Sequence, residues 1–136
     1  MAVNVAWDNT EKTILRYSYQ GSWTWDEYNQ AVHTGLSLAA SVQHRFDLVA
    51  DFTQCKTLPR NVLSMFRKVL TNQRTMPPNM RLIVLVANSP FLDKMINMFR
   101  NINRDLAKQF CVVRTVEAAH ELISLQPEVL EQAEHA

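Results

Sequence analysis

Alternation of apolar and polar positions dominates the start of the chain. VNVAW (3–7) and KTILRYSYQ (12–20) both favour strand, the second by setting Ile14, Arg16 and Ser18 against Leu15, Tyr17 and Tyr19. The turn formers DNTE (8–11) between them predict a hairpin. The period then changes from two to three or four. Gly21 and Ser22 break the strand, and Thr24 with Glu27 makes a capping box, in which each side chain satisfies a backbone amide left free at a helix start. Trp25, Tyr28, Val32, Leu36, Ala39 and Val42 form one apolar stripe, so a helix is predicted from about 25 to 42.

FDLVADF (46–52) reads as a buried central strand, TQCKTLPRN (53–61) as a loop and VLSMFRKVL (62–70) as a helix. Pro59 fits the first turn of that helix, where its missing amide hydrogen has no partner to lose, which carries the predicted helix from Pro59 to about Arg74. MPPN (76–79) ends it. MRLIVLVA (80–87) is apolar enough to be covered on both faces, as parallel strands are. Asn88 and Ser89 cap a further helix with Pro90 at its first turn, FCVVR (110–114) is a short last strand, and Thr115 caps a final helix, VEAAHELISL (116–125).

The predicted order is therefore β-β-α-β-α-β-α-β-α: one α/β domain over residues 1–125, followed by an acidic tail, 126–136. Strands separated by helices imply right-handed crossovers and a mostly parallel sheet with packed helices, to which the opening hairpin adds one antiparallel edge strand.

At 136 residues, 47% apolar and 20% charged, the chain can close a core without a metal or disulfide staple. Its longest apolar run, LIVLVA (82–87), falls far short of the roughly 20 residues of a bilayer span, so no transmembrane segment is expected. MAVNVAWDNTEK has neither the basic start nor the hydrophobic core of a secretion signal. A cytoplasmic location is expected, with Cys55 and Cys111 as reduced, partly buried thiols.

Net charge is +1 but unevenly spread: −3 over residues 1–55, +9 over 56–114 and −5 over 115–136. The basic middle, with Arg60, Arg67, Lys68, Arg74, Arg100, Arg104 and Lys108, could meet nucleic acid or an anionic membrane. The plainer reading, and the preferred one, is the solvated faces of two helices neutralised by the tail.

The order of elements and the stretch LVADFTQCKTLPRNVLSMF resemble the STAS domain family, the fold of bacterial anti-sigma-factor antagonists, and beyond it the STAS/SEC14-type group that binds lipids or other small apolar molecules. The resemblance spans about residues 2–125 and implies a non-enzymatic regulatory module that binds a protein partner. Asp51, Phe52 and Thr53 match the Asp-hydrophobic-Ser/Thr end of the family's central strand. Where the family has an Asp-Ser-Ser-Gly-like helix start with a phosphorylated serine, this chain has Pro59, Arg60, Asn61 and Val62. The phosphoacceptor is missing; Ser64 stands one turn further in and Thr57 just before. A helix start with Arg60 beside it still favours an anion.

Catalytic signatures are absent. Gly21 and Gly35 are the only glycines, too few for a Walker loop or a dinucleotide fingerprint, and no Gly-x-Ser-x-Gly, CxxC or HExxH occurs. His33, His44, His120 and His135 suit no ligand set, so no metal, cofactor or catalytic residue is expected. Asp47 and Asp51 share a face of the central strand but stand roughly 13 Å apart, which leaves Asp51 as a hydrogen-bond acceptor that organises the loop.

Binding is the remaining expectation. Asp51, Thr53, Thr57, Arg60, Asn61 and Ser64 form the candidate partner or anion site. Trp25 belongs to the core stripe, whereas Trp23 is either a hydrophobic staple or the lid of a pocket. Broad apolar stripes, including Met65 and Phe66 on one helix and Met95, Met98 and Phe99 on the next, are open to three readings: packing within the domain, a homodimer interface, or an apolar pocket. A self-associating protein-binding module leads. The alternative is a carrier of a small apolar, lipid-like ligand, its cavity lined by Trp23, Phe66, Met95 and Phe99.

Overall fold

A computed structural model of the chain describes residues 2–62, 64, 65, 68, 77–87, 97 and 110–125. Its elements are β1 (Val3–Trp7), β2 (Ile14–Ser22), α1 (Trp25–Ala40), β3 (Phe46–Thr57), β4 (Met80–Val86), β5 (Phe110–Val113) and α2 (Val116–Leu125). Val62, Ser64, Met65, Lys68 and Asn97 are also helical. The rest of the helix expected from Pro59 to about Arg74 and of the one expected to start at Pro90, and the tail 126–136, lie outside the described residues.

The protein is α/β, with a mixed five-stranded sheet in the order β1-β2-β3-β4-β5. β1 pairs antiparallel with β2, and the other neighbours are parallel. The hairpin turn is held by Asn9, whose Oδ1 accepts from the amides of Thr13 at 3.0 Å and Ile14 at 3.2 Å. Lys12 takes a left-handed φ of 57° there, so β2 begins at Ile14 rather than at Lys12.

Side-chain alternation gives the sheet two apolar faces. Leu15, Tyr17 and Tyr19 of β2 and Phe46, Ala50 and Phe52 of β3 pack with Val3, with Tyr28, Ala31 and Ala39 of α1, and with Val62. On the other face Ile14, Val49, Leu82, Val84 and Val86 pack with Ala119 and Ile123 of α2. A strand with helices on both sides must be apolar on both, which is why β3 and β4 read as near-continuous hydrophobic runs.

The Thr24–Glu27 capping box forms as expected, and Thr115 Oγ1 accepts from the Ala118 amide at 3.0 Å to start α2. Midway along α1, Gly35 meets the Tyr17 ring: a Cβ there would overlap Tyr17 Oη and stand 2.8 Å from Cζ. That close approach lets a tyrosine lie between helix and sheet. Among the described residues, no helix is long and apolar enough to cross a membrane.

Two expectations near the centre need correction. Residues 53–57 are strand rather than loop, because β2 runs past Gly21 (φ 59°) to Ser22 and offers a ladder as far as Thr57. Pro59 is not in a helical turn; helical backbone begins at Val62, after Asn61.

Candidate functional site

β3 carries two buried carboxylates on its α2 side, Asp47 at 4% and Asp51 at 3% exposure. A buried carboxylate is costly unless paired and hydrogen-bonded, and each has its own arginine. Asp47 sits at a bulge: its neighbours Phe46 and Leu48 pair with Met80 and Ile83, so Arg81 and Leu82 both stand opposite it. Its two oxygens accept from Arg81 Nε at 2.7 Å and Nη2 at 2.6 Å, and the Leu82 amide adds a donor at 3.2 Å.

Asp51 marks the second irregularity. Its Oδ2 pairs with Arg16 Nη2 at 2.6 Å, while Oδ1 accepts from the Thr53 amide at 2.9 Å and the Thr53 hydroxyl at 2.6 Å. A side chain that binds the amide two residues on makes an Asx turn, and the ladder slips at this point between Ser18 and Gln20. Burial alone would raise the Asp51 carboxyl, but the Thr53 and Arg16 contacts outweigh it and hold the group below the usual value. Asp51 does organise the residues after it, as the sequence implies, though inside a strand. At 3% exposure it positions its neighbours and does not itself form the surface.

Beyond the turn, β3 becomes a polar surface. Thr53, Gln54, Lys56 and Thr57 are exposed, and Ser22 and Thr57 are hydrogen-bonded through their hydroxyls across the β2–β3 ladder. The connection after Thr57 is tied to α1, since Trp25 Nε1 donates to the Arg60 carbonyl at 3.0 Å. Trp25, expected in the core, is half-buried and uses its polar edge in this way. Asn61 adopts φ 63°, a region asparagine tolerates better than most residues. Its carbonyl accepts from the Met65 amide at 2.9 Å and from Ser64 Oγ at 3.1 Å. Thr53, Thr57, Arg60, Asn61 and Ser64 thus succeed one another from the carboxyl end of β3 to the first helical turn, all exposed.

Of the residues proposed for an apolar pocket, Phe66, Met95, Met98 and Phe99 lie outside the described residues, and Met65 is half-buried. Trp23 is 3% exposed and packs against Tyr19, Trp25 and Tyr28 at centroid distances of 4.9, 5.1 and 6.1 Å. Tyr19 in turn stacks on Phe52 at 4.2 Å. Burial in this cluster pushes the Tyr28 hydroxyl up to about 12 and raises that of Tyr19. Burial also raises the Cys55 thiol, against a hydrogen bond from Trp23, so Cys55 stays protonated at neutral pH.

One arrangement was not legible in the sequence. Arg16 Nη1 lies 3.4 Å from Asp8 Oδ1, and Asp8 Oδ2 is 2.7 Å from His120 Nε2. A polar chain therefore runs from α2 through the β1–β2 turn and β2 to Asp51. Its members are 112, 8 and 35 residues apart; strand register joins Arg16 to Asp51, and α2 brings His120 to the β1–β2 turn. Period-two alternation placed Arg16 opposite the Leu15 face, and the pattern held no other signal of it. Among the described residues, no group of three or more His, Cys, Asp or Glu side chains is disposed to hold a metal ion.

No protein-family model matches the chain, and a search of the curated proteins finds no match either.

Proposed function

We propose that this protein is a STAS-like, non-enzymatic regulatory module in the cytoplasm that binds another protein through the carboxyl end of β3 and the connection to the next helix, and that it also associates with itself. The observation that carries the reading is the change of character along β3. The strand is largely buried from Phe46 to Phe52, then continues to Thr57 as a paired strand with exposed polar side chains. A polar surface backed by a ladder is ordered before a partner arrives, so less conformational entropy is lost on binding. It also lies at the carboxyl ends of parallel strands, where α/β folds place their working surfaces.

The resemblance in strand end, from Asp51 to Thr53, and the sheet of one antiparallel and several parallel pairs both support the STAS-like reading. The non-enzymatic part is supported by the state of the reactive groups. Asp47 and Asp51 are each bound to an arginine, His120 is paired with Asp8, and Cys55 is a neutral thiol. Regulation would not use the family's serine, since Arg60 and Asn61 stand in its place and the Ser64 hydroxyl is bonded to Asn61. The apolar-ligand alternative gains nothing from Trp23, whose ring fills the aromatic cluster.

The test is comparative capture from the source cells with the intact chain as bait. Thr57→Arg and Arg60→Glu are expected to lose a partner that wild type and the α1 surface variant His33→Glu retain. Equal recovery by all four proteins would refute the assignment of this surface.

A further inference from the structure

β1 is the terminal strand of the sheet, and the direction of its backbone groups is fixed by two hydrogen bonds. The Gln20 amide donates to the Ala2 carbonyl at 2.7 Å, and the Asp8 amide donates to the Ile14 carbonyl at 2.8 Å. In an antiparallel pair every second residue aims both its N–H and its C=O at the neighbour. The register from Val3↔Tyr19 to Trp7↔Leu15 has no bulge, so Asn4 and Ala6 share the inward sense of Ala2 and Asp8. Val3, Val5 and Trp7 therefore point their N–H and C=O groups outward. Among the described residues nothing pairs with that edge.

Sheet edges of this kind are commonly blunted by a proline, a lysine or other charge, or a bulge. VNVAW has none of these. The edge is also self-complementary. If a second copy is placed antiparallel about a two-fold axis through Val5, Val5 faces Val5 of the second copy and Val3 faces its Trp7. Every outward-pointing residue then meets another outward-pointing residue, as the ladder requires. Side chains agree as well: Val3, Val5 and Trp7 lie on the α1 face, where Val5 and Trp7 are only partly buried. The two apolar rows would continue into each other, with exposed Asn4 and Ala6 beside each other on the opposite face.

We infer that β1 is the self-association surface of this protein, and that a second copy of the chain adds its own β1 antiparallel across a two-fold at Val5 to make one continuous sheet. This rests on the proposal above that the protein self-associates, and it moves the contact from the apolar helix stripes to a strand edge.

Light scattering combined with amide hydrogen exchange of the full chain tests it. Wild type should show twice the monomer mass, and the Val3, Val5 and Trp7 amides should exchange slowly at high concentration and faster on dilution. Val5→Pro removes an outward N–H while leaving the β2 ladder intact, and should halve the mass with an unchanged circular dichroism spectrum. A dimer whose Val3, Val5 and Trp7 amides exchange as freely as loop amides overturns the edge assignment but leaves self-association standing. A monomer at every concentration overturns both. Protection that appears only when a different protein is bound gives the edge to another occupant, and so overturns the two-copy arrangement. Should Val5→Pro fail to fold, exchange in the wild type decides alone.

Discussion

Arg16 Nη2 lies 2.6 Å from Asp51 Oδ2 across the β2–β3 ladder, with the arginine side chain 31% exposed and the aspartate 4%. The pair joins the buried part of β3 to its exposed end. Arg16 neutralises the carboxylate from one side, and Thr53 takes the other oxygen to set the bulge from which the polar surface begins.

Acid should weaken this arrangement in a defined direction. The Asp51 carboxyl titrates lower in the folded protein than the ~3.9 of an unfolded chain. Its stabilising effect is therefore fully present above that value and is lost as pH falls through the folded one, because the unfolded state binds the proton first. Urea midpoints measured from about pH 5 to about pH 2.5 should fall more steeply for wild type than for Asp51→Asn. At neutral pH that variant should already be less stable by about 1.5–3 kcal/mol, the worth of a hydrogen bond to a charged group.

Asp47 and Arg81 form the more enclosed pair, with side chains 6% and 14% exposed. Asp47→Ala leaves the largely enclosed Arg81 guanidinium and the Leu82 amide without their acceptor, and should cost about 3 kcal/mol, the low end for a buried pair, in chemical denaturation. Replacing both partners with apolar residues, Asp47→Leu with Arg81→Met, should recover most of that loss. A double variant no more stable than Asp47→Ala would show that the carboxylate is needed to hold the bulge itself.

Gly35→Ala would ordinarily help a helix by about 0.8–1 kcal/mol. Here the added methyl meets the Tyr17 ring, which is 7% exposed and cannot move aside freely. A net loss of about 1–2 kcal/mol is expected, as the overpacking cost exceeds the gain in propensity. Tyr17→Phe in the same background should restore part of it by removing the overlapping hydroxyl. The check is calorimetric melting of wild type and the two variants.

Asn61 is the hinge between the polar strand end and the helix. Asn61→Gly should keep or slightly raise stability, whereas Asn61→Val should lower it by about 1–2 kcal/mol, since a β-branched residue resists the left-handed region. Two-dimensional amide spectra should place the changes for Asn61→Val around Trp25 and Met65, whose partners are Arg60 and Asn61.

Periodicity and capping signals made much of the fold readable in advance. The hairpin, α1 with its Thr24–Glu27 box, the two-faced strands β3 and β4, and α2 behind Thr115 all occur where the pattern puts them, with ends shifted by no more than two residues except at the end of β3. The continuation of β3 to Thr57 could not be read. TQCKT is polar and looks like loop, and it is strand because β2 is present beside it. The ion pairs were hidden for the same reason: Arg16 has no sequence relation to Asp51, or Arg81 to Asp47, until register brings them together. The candidate residues Thr53 to Ser64 were picked out by their order along the chain, which the structure keeps, but the contacts of Asp51 beneath them include Arg16, which that order does not indicate.

Photo-crosslinking in the source cells asks most directly whether the end of β3 is where a partner docks. A crosslinking amino acid at Thr57 should give one discrete adduct that contains a second, different protein, and the same residue at His33 on α1 should give none. An adduct from His33 with none from Thr57, in cells where both variants fold and accumulate equally, would contradict the proposed surface.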